Sequence, residues 1–256
     1  MIQAGIIGGD LGYRLLRRLG RATVAGGGYC SGEGYRGVSK LEALFGKDIW
    51  NDIREQTVLD FGCGTGEMAI EMAQHGAEHV VGLDIRQKVL DMAARDAEAA
   101  GVSALCSFTT RVDEPVDVAF SVDGFEHYDD PAEVLDLLGR LIRPGGKLFI
   151  AFGPPWLHPY GGHLFSIFPW AHLLFTERAL LRWRSDFKTD GATHFGEVEG
   201  GLNQMSICRF RRLVDASPFD VESIELVPIR RLAPFHNQLT SEFLTSIVRC
   251  TLAVPA

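Results

Sequence analysis

One stretch constrains the fold more than any other part of the 256 residues: Thr57-Val58-Leu59-Asp60-Phe61-Gly62-Cys63-Gly64-Thr65-Gly66-Glu67-Met68. Val58, Leu59 and Phe61 supply the β-prone, apolar character of a strand buried on both faces. Gly62, Gly64 and Gly66 let the backbone turn sharply and let a ligand lie against it with no Cβ in the way. Strong helix formers follow from Glu67. A strand, a glycine turn and a helix in that order form the junction at which open α/β sheets bind nucleotides.

The turn also narrows the ligand. A phosphate-binding P-loop needs Lys and Ser or Thr after its last glycine, and Glu67 and Met68 stand there instead. The dinucleotide fingerprint is G-x-G-x-x-G, whereas this spacing is G-x-G-x-G. Glu67 is a poor neighbour for pyrophosphate. A nucleoside without phosphate and with a positive centre fits better. Asp84 closes the next apolar run, Glu78-His79-Val80-Val81-Gly82-Leu83. A carboxylate there matches both hydroxyls of a ribose, and it also suits the N-cap of the helix that follows.

The pattern alternates from Thr57 onward. Strands are predicted over 57–61, 78–84, 104–109, 116–121 and 147–152, with helices over 66–75, 86–100 and 131–142. Pro131 opens the last of these helices, where its missing N–H costs nothing, and Pro144-Gly145-Gly146 is turn chemistry. Strands alternating with helices mean a parallel sheet covered on both faces. Upstream, helices are expected near 10–19 and 39–50, with a loop at 29–37 whose tyrosines stand ready to cover a ligand. Downstream come a helical stretch near 169–184, a helix over 206–216, and strands near 219–228 and 243–252.

The sequence Val58-Leu59-Asp60-Phe61-Gly62-Cys63-Gly64-Thr65-Gly66, with Gly82-Leu83-Asp84-Ile85 after it, resembles the class I S-adenosylmethionine-dependent methyltransferases. Phe125-Glu126-His127 with Asp130-Pro131, and Leu141-Ile142-Arg143-Pro144-Gly145-Gly146-Lys147-Leu148, match later landmarks of that family. The resemblance is tight over about 57–152. It implies a Rossmann-like α/β fold: a seven-stranded, mostly parallel sheet with helices on both faces, its last two strands drawn from the C-terminal part. It implies S-adenosylmethionine as cofactor and S-adenosylhomocysteine as product. Gly62, Gly64 and Gly66 would pass under the methionyl part and ribose, Asp84 would take the ribose diol, and Ile85 would pack on the adenine. Asp60 would orient the turn or the ammonium, and Ser121 would line the gap between cofactor and acceptor. Arg111, Val112 and Asp113, after the third strand, are equally placed to meet the adenine.

Four regions follow: 1–50, an N-terminal helical segment covering the cofactor site; 51–152, the cofactor-binding core; 153–204, an aromatic lid with the acceptor site; and 205–256, which completes the sheet. The lid is too long for a plain connection. Trp156, Tyr160, Phe165, Phe168, Trp170 and Phe175 predict an aromatic wall for an organic acceptor, or else a homodimer contact.

Methyl transfer needs a base only when the acceptor must lose a proton, and histidine is the ready choice. His127 follows the fourth strand, and His158 and His163 follow the fifth; all three fall at the ligand-binding edge. His127 suits pocket lining as well as catalysis, and His163 suits a structural cap as well as an acceptor pocket. Trp156, Tyr160, His194 and Asn203 are the expected acceptor contacts. A histidine–acid metal set from His158, His163, His194 and Glu197 has irregular spacing and no i, i+4 ligand pair, so no metal is favoured.

Composition sets the outer limits. A net charge of -8 disfavours nucleic acid as partner. Five scattered cysteines without CxxC point to reduced thiols. No run has membrane-span length, and no signal-type run flanks Arg14, Arg17 and Arg18. The expectation is a cytoplasmic monomer or homodimer that methylates a small organic acceptor such as a sugar or secondary metabolite. O-methylation is favoured, then N-, then C-. The alternatives are an aminopropyl or carboxymethyl transferase on the same platform, or a non-catalytic module that binds S-adenosylmethionine.

Overall fold

The computed structural model describes residues 5–20, 37–198 and 200–256. The predicted loop at 29–37 lies outside them apart from Gly37. Seven strands form one sheet: β1 (Thr57–Phe61), β2 (His79–Leu83), β3 (Cys106–Thr109), β4 (Val116–Val122), β5 (Ile142–Phe152), β6 (Asp220–Pro228) and β7 (Thr245–Ala253). Their order is β3-β2-β1-β4-β5-β7-β6. All neighbours run parallel except β7, which is antiparallel to both β5 and β6. The order reverses between β1 and β4, and ligands bind open α/β sheets at the carboxyl ends of strands flanking such a point.

Alternation along the strands builds two cores. Leu59, Phe61 and Ala119 face Leu135 and Leu138 of α6 (Pro131–Leu141) and Phe210 of α9 (Ile207–Asp215). Val58, Val118 and Phe120 face the other way. They meet Leu41 of α2 (Lys40–Phe45), Ile53 of α3 (Ile49–Ile53), Met72 of α4 (Glu67–Gln74) and Ala97 of α5 (Gln87–Ala99). Each face of the sheet is therefore covered, as parallel strands require. Asp130 caps α6 by accepting from the N–H groups of Ala132 and Glu133, ahead of Pro131.

Several boundaries differ from the sequence expectation. The helix predicted near 39–50 is two short ones, because Gly46 takes φ +84° between them. Pro144-Gly145-Gly146 is no terminal turn but a bulge inside β5, with Gly145 at φ +79° and the pairing shifting between Val116 and Val118. The stretch near 169–184 breaks into α7 (Ala171–Leu174) and α8 (Glu177–Arg184), since Thr176 turns extended and caps α8.

The lid has a core of its own. Trp156, Phe165 and Phe175 pack with Leu180, Trp183 and Phe195, each at most 3% exposed. Trp156 and Phe175 fill the segment rather than walling an open pocket, so the aromatic-wall expectation is corrected for them, while Phe165 also borders a small cavity. Leu16 of α1 (Gly9–Leu19) enters the same cluster. Helix α1 lies against α8, where Arg182 pairs with Asp10 at 2.6 Å and covers the Tyr13 ring at 4.2 Å. The expected N-terminal cover is thus divided: α1 serves the lid, while α2 reaches the sheet edge through Lys40 Nζ and Asp123 Oδ2, 2.6 Å apart. Among the described residues no helix is long and apolar enough to cross a membrane.

Candidate active site

The glycine turn leaves β1 at the reversal point. Gly62, Gly64 and Gly66 have φ of +88°, +53° and +80°, conformations that L side chains rarely adopt. Their surroundings differ. A Cβ on Gly64 would meet nothing within 4 Å, and one on Gly62 would meet only the Tyr128 hydroxyl at 3.8 Å. A Cβ on Gly66 would collide with Ala93 at 2.7 Å and Phe108 at 2.8 Å. Gly62 and Gly64 border open space, whereas Gly66 is demanded by packing.

Asp60 lies at the base of the turn, fully buried, and neither carboxylate oxygen has a hydrogen-bond partner. Burial pushes its pKa up to about 7, with Lys40 drawing it down and Asp84 pushing it further up. An orphaned buried carboxylate is costly, and a cationic ligand group would relieve it. Asp84 is fully engaged: Oδ1 accepts from Arg86 N at 2.9 Å and Arg86 Nε at 3.0 Å. Its Oδ2 accepts from Arg86 Nη2 at 3.0 Å and Gly64 N at 3.1 Å. Burial works against its charge, but the Arg86 bonds, the Arg86 charge and the Gly64 N–H prevail and hold its carboxyl below the usual range. A diol reaches Asp84 only when the Arg86 side chain, 63% exposed, swings away. Ile85 is 90% exposed beside it.

Arg111 Nε and Asp113 Oδ1 pair in solvent at 2.8 Å, and Val112 packs half-buried against the core. Ser121 is buried, its Oγ 2.9 Å from the Tyr128 hydroxyl. Tyr128 in turn donates to the Phe61 carbonyl and would crowd any side chain at Gly124. Nothing in the sequence pattern marks Tyr128 as the floor of this turn.

The predicted histidines divide. The His127 and His163 rings stand 5.4 Å apart in an edge arrangement. His127 Nδ1 lies 2.8 Å from the Gly201 carbonyl; a carbonyl only accepts, so Nδ1 carries the hydrogen and Nε2 keeps the lone pair. Gly201 aims that carbonyl from φ +66°. His163 is held neutral, its pKa pushed down to about 4 by burial and then by the charges of His127 and His172. Glu126 lies beside the pair, and one ligand atom from each of Glu126, His127 and His163 falls within 4.8 Å of the others. Burial raises the Glu126 carboxyl to about 8. The sequence reading names His127 but assigns Glu126 no role, since adjacency alone does not reveal which way its side chain points.

Other expected site residues have structural duties. His158 accepts the Tyr160 N–H at 3.0 Å and stays outside the cluster. Trp156 is 2% exposed and packs on His172 and Phe195. Tyr160 follows His158 in the same turn, its ring centroid 6.2 Å from the imidazole. His194 pairs with Glu197 at 3.0 Å on the surface, and the disfavoured metal set of His158, His163, His194 and Glu197 is not gathered among the described residues. Asn203 braces the loop after β4, its Nδ2 donating to the carbonyls of Phe125 and Tyr128. His172, which sequence gave no reason to single out, ties Ser166 to the Trp156 carbonyl inside the lid.

A cavity of about 160 Å³ opens beside the pair, lined by His127, His163, Phe165, Arg184, Val198 and Leu202 among others. A larger concavity of about 630 Å³, between α9 and the segment before β7, holds none of the predicted site residues.

Comparison with known proteins bears on the domain and the fold. Residues 59–150 match the family model described as a methyltransferase domain. A ribosomal protein L11 methyltransferase from Photobacterium profundum is 36% identical over 112 residues, 43% of this chain and 37% of that protein. A ubiquinone biosynthesis O-methyltransferase from Aeromonas salmonicida is 36% identical over 120 residues, 44% of this chain and 46% of that protein. The chain thus spans less than half the length of these relatives. An S-adenosylmethionine-dependent methyltransferase from Mesorhizobium loti superposes with TM-score 0.56 and 18% identity, over 86% of this chain and all of that one. The [4+2]-cyclase SpnF superposes with TM-score 0.55 and 17% identity, over 99% of this chain and all of that one. The fold is that of the class I S-adenosylmethionine-dependent methyltransferases. Residues 59–150 are a methyltransferase domain, and the open turn above an orphaned carboxylate fits that cofactor, with its ammonium and sulfonium charges.

Proposed function

We propose that the chain is an S-adenosylmethionine-dependent methyltransferase acting on a small organic acceptor, at oxygen by preference, then nitrogen, then carbon. The observation that carries this is the pairing of an orphaned Asp60 carboxylate under an open glycine turn with two adjacent imidazoles past the end of β4. When bound, the cofactor supplies a sulfonium methyl group, and the electrons of the broken C–S bond stay on sulfur as the bond to the acceptor forms. Asp60 takes the ammonium. Asp84, once released from Arg86, takes the ribose diol, and Ile85 covers the adenine. Arg111 and Asp113 occupy each other, which leaves Val112 as the residue of that trio to face the base. Ser121 and Tyr128 floor the gap. His127 Nε2 accepts the proton that an acceptor hydroxyl loses, with the Gly201 carbonyl stabilising the imidazolium through Nδ1–H. The cavity of about 160 Å³ suits a small acceptor or one group of a larger one. The protein works as a monomer or homodimer in the cytoplasm.

Calorimetric titration with S-adenosylmethionine tests the platform: a dissociation constant unchanged by Asp84→Ala sinks it. A methyl-transfer screen over hydroxyl and amine acceptors tests the chemistry. His127→Ala should lower kcat by about 100-fold or more; full rates in both His127→Ala and His163→Ala across pH 6–9 reject the histidine base. The relative that methylates a ribosomal protein makes a protein acceptor one arm of that screen. A second reading is that the chain binds the cofactor without spending its methyl group. It predicts tight binding with no turnover.

A further inference from the structure

We propose that Glu126, His127 and His163 form a binding site for one divalent transition-metal ion; its place in methyl transfer rests on the methyl transfer proposed above, and with the ion bound His127 Nε2 would be a ligand, so that the ion's lowering of the acceptor hydroxyl's pKa would stand in for the His127 base. The three side chains come from two segments, two from the loop after β4 and one from the lid, yet their ligand atoms lie within 4.8 Å of one another. Glu126 is 4% exposed, and its Oε2 has no partner. Its Oε1 receives only a long contact from Gly153 N at 3.4 Å. A carboxylate buried in this way calls for a counter-charge.

His127 is oriented as metal-bound histidines are, one ring nitrogen donating to a backbone carbonyl and the other keeping its lone pair. His163, a non-glycine residue at φ +52°, adopts a strained backbone state of the kind that clusters at functional positions. That state brings its ring against His127. The loop holding Glu126 is fixed from outside: Asn203 N donates to the Glu126 carbonyl at 3.1 Å, and Asn203 Nδ2 ties Phe125 and Tyr128. The ligands are thus pre-positioned on a braced backbone.

Two imidazoles and one carboxylate favour zinc, manganese or iron(II) over calcium or magnesium, and three protein ligands leave coordination positions open. Two of the three ligands also line the cavity of about 160 Å³. An acceptor bearing a hydroxyl or an adjacent pair of oxygens would meet the ion there, and this selects oxygen-rich acceptors over simple amines.

The test uses the full chain, dialysed against a chelator and titrated with MnCl2 and, separately, ZnCl2. Bound manganese is read by electron paramagnetic resonance and bound zinc by elemental analysis. One ion per chain is expected. Glu126→Gln and His163→Gln should each weaken binding at least about tenfold, while His194→Ala leaves it unchanged. Cobalt(II) absorption of the wild type reports nitrogen ligation even where a variant does not fold. Absence of stoichiometric binding of either ion, or wild-type affinity in both folded ligand variants, overturns the site. Methyl transfer that persists without bound metal overturns the ion's role in the reaction, and leaves His127 as the base. Metal binding with no methyl transfer to any acceptor supports the site and overturns the function on which its role rests.

Discussion

Asp60 sets the most direct expectation at the scale of single residues. Its folded pKa of about 7 lies above the ordinary 3.8, so the folded state holds the proton more tightly than the unfolded state. The stability this confers is fully present below pH 3.8 and is lost as pH rises through about 7, on the order of 4 kcal/mol for a shift of about three units. Urea unfolding of the free protein should therefore show lower stability at pH 8 than at pH 5, and Asp60→Asn should flatten that slope. The same substitution should abolish S-adenosylmethionine binding, because the amide offers the ammonium no charge. Wild-type binding at pH 6 should release a proton from Asp60, visible as a calorimetric heat that changes with the buffer's ionisation enthalpy. The turn glycines make a second contrast. Gly66→Ala meets both a left-handed φ and the Phe108 and Ala93 side chains, and should cost about 2–3 kcal/mol. Gly64→Ala meets open space, so it should cost only its backbone strain of about 1–2 kcal/mol while weakening cofactor binding more than Gly66→Ala weakens it per unit of lost stability.

Elements owe their ends to local chemistry, and most of those ends were legible. Asp130-Pro131 marks the start of α6 in the sequence, and in the structure the Asp130 carboxylate accepts two backbone N–H groups there. Asp130→Ala should cost about 1 kcal/mol in chemical denaturation, while β5 and β7 keep their protection from hydrogen exchange. The apolar run of β1 likewise marked it as a strand buried on both faces, and the structure bears this out. The bulge in β5 was not legible. Pro-Gly-Gly reads as a turn, and only the partner strand β4 shows that pairing resumes at Lys147 after an irregular step. The break at Thr176 was hidden for a related reason: Phe175 is buried among lid aromatics and Thr176 bonds to Ile7, contacts that no helical periodicity foretells.

At the scale of the whole molecule, the lid with α1 forms a packed unit over one edge of the sheet. Leu16 is completely buried in it. Leu16→Ala should destabilise by about 2–5 kcal/mol, and native-state hydrogen exchange should locate the loss in residues 156–198 and α1 rather than in β1 and β4. A loss spread evenly over the sheet would mean that the two packed units unfold together. Because the His163 ring reaches the proposed acceptor site from this unit, the same variant should lower methyl transfer more than it lowers cofactor affinity.

The sequence alone determined the sheet, most of its elements and the glycine turn, and it set the carboxylates Asp60 and Asp84 beside that turn. These are local matters: strand periodicity, turn glycines and helix caps act between neighbours a few residues apart. Tertiary structure decided the rest. It showed Arg86 occupying Asp84, Tyr128 beneath the turn, the Gly201 carbonyl setting the His127 tautomer, and Glu126 meeting His163. It also removed Trp156, His158 and His194 from the chemistry by giving them buried or surface partners. The Tyr128–Phe61, His127–Gly201 and Glu126–His163 approaches join residues tens of positions apart, and only the packing of distant segments brings them together.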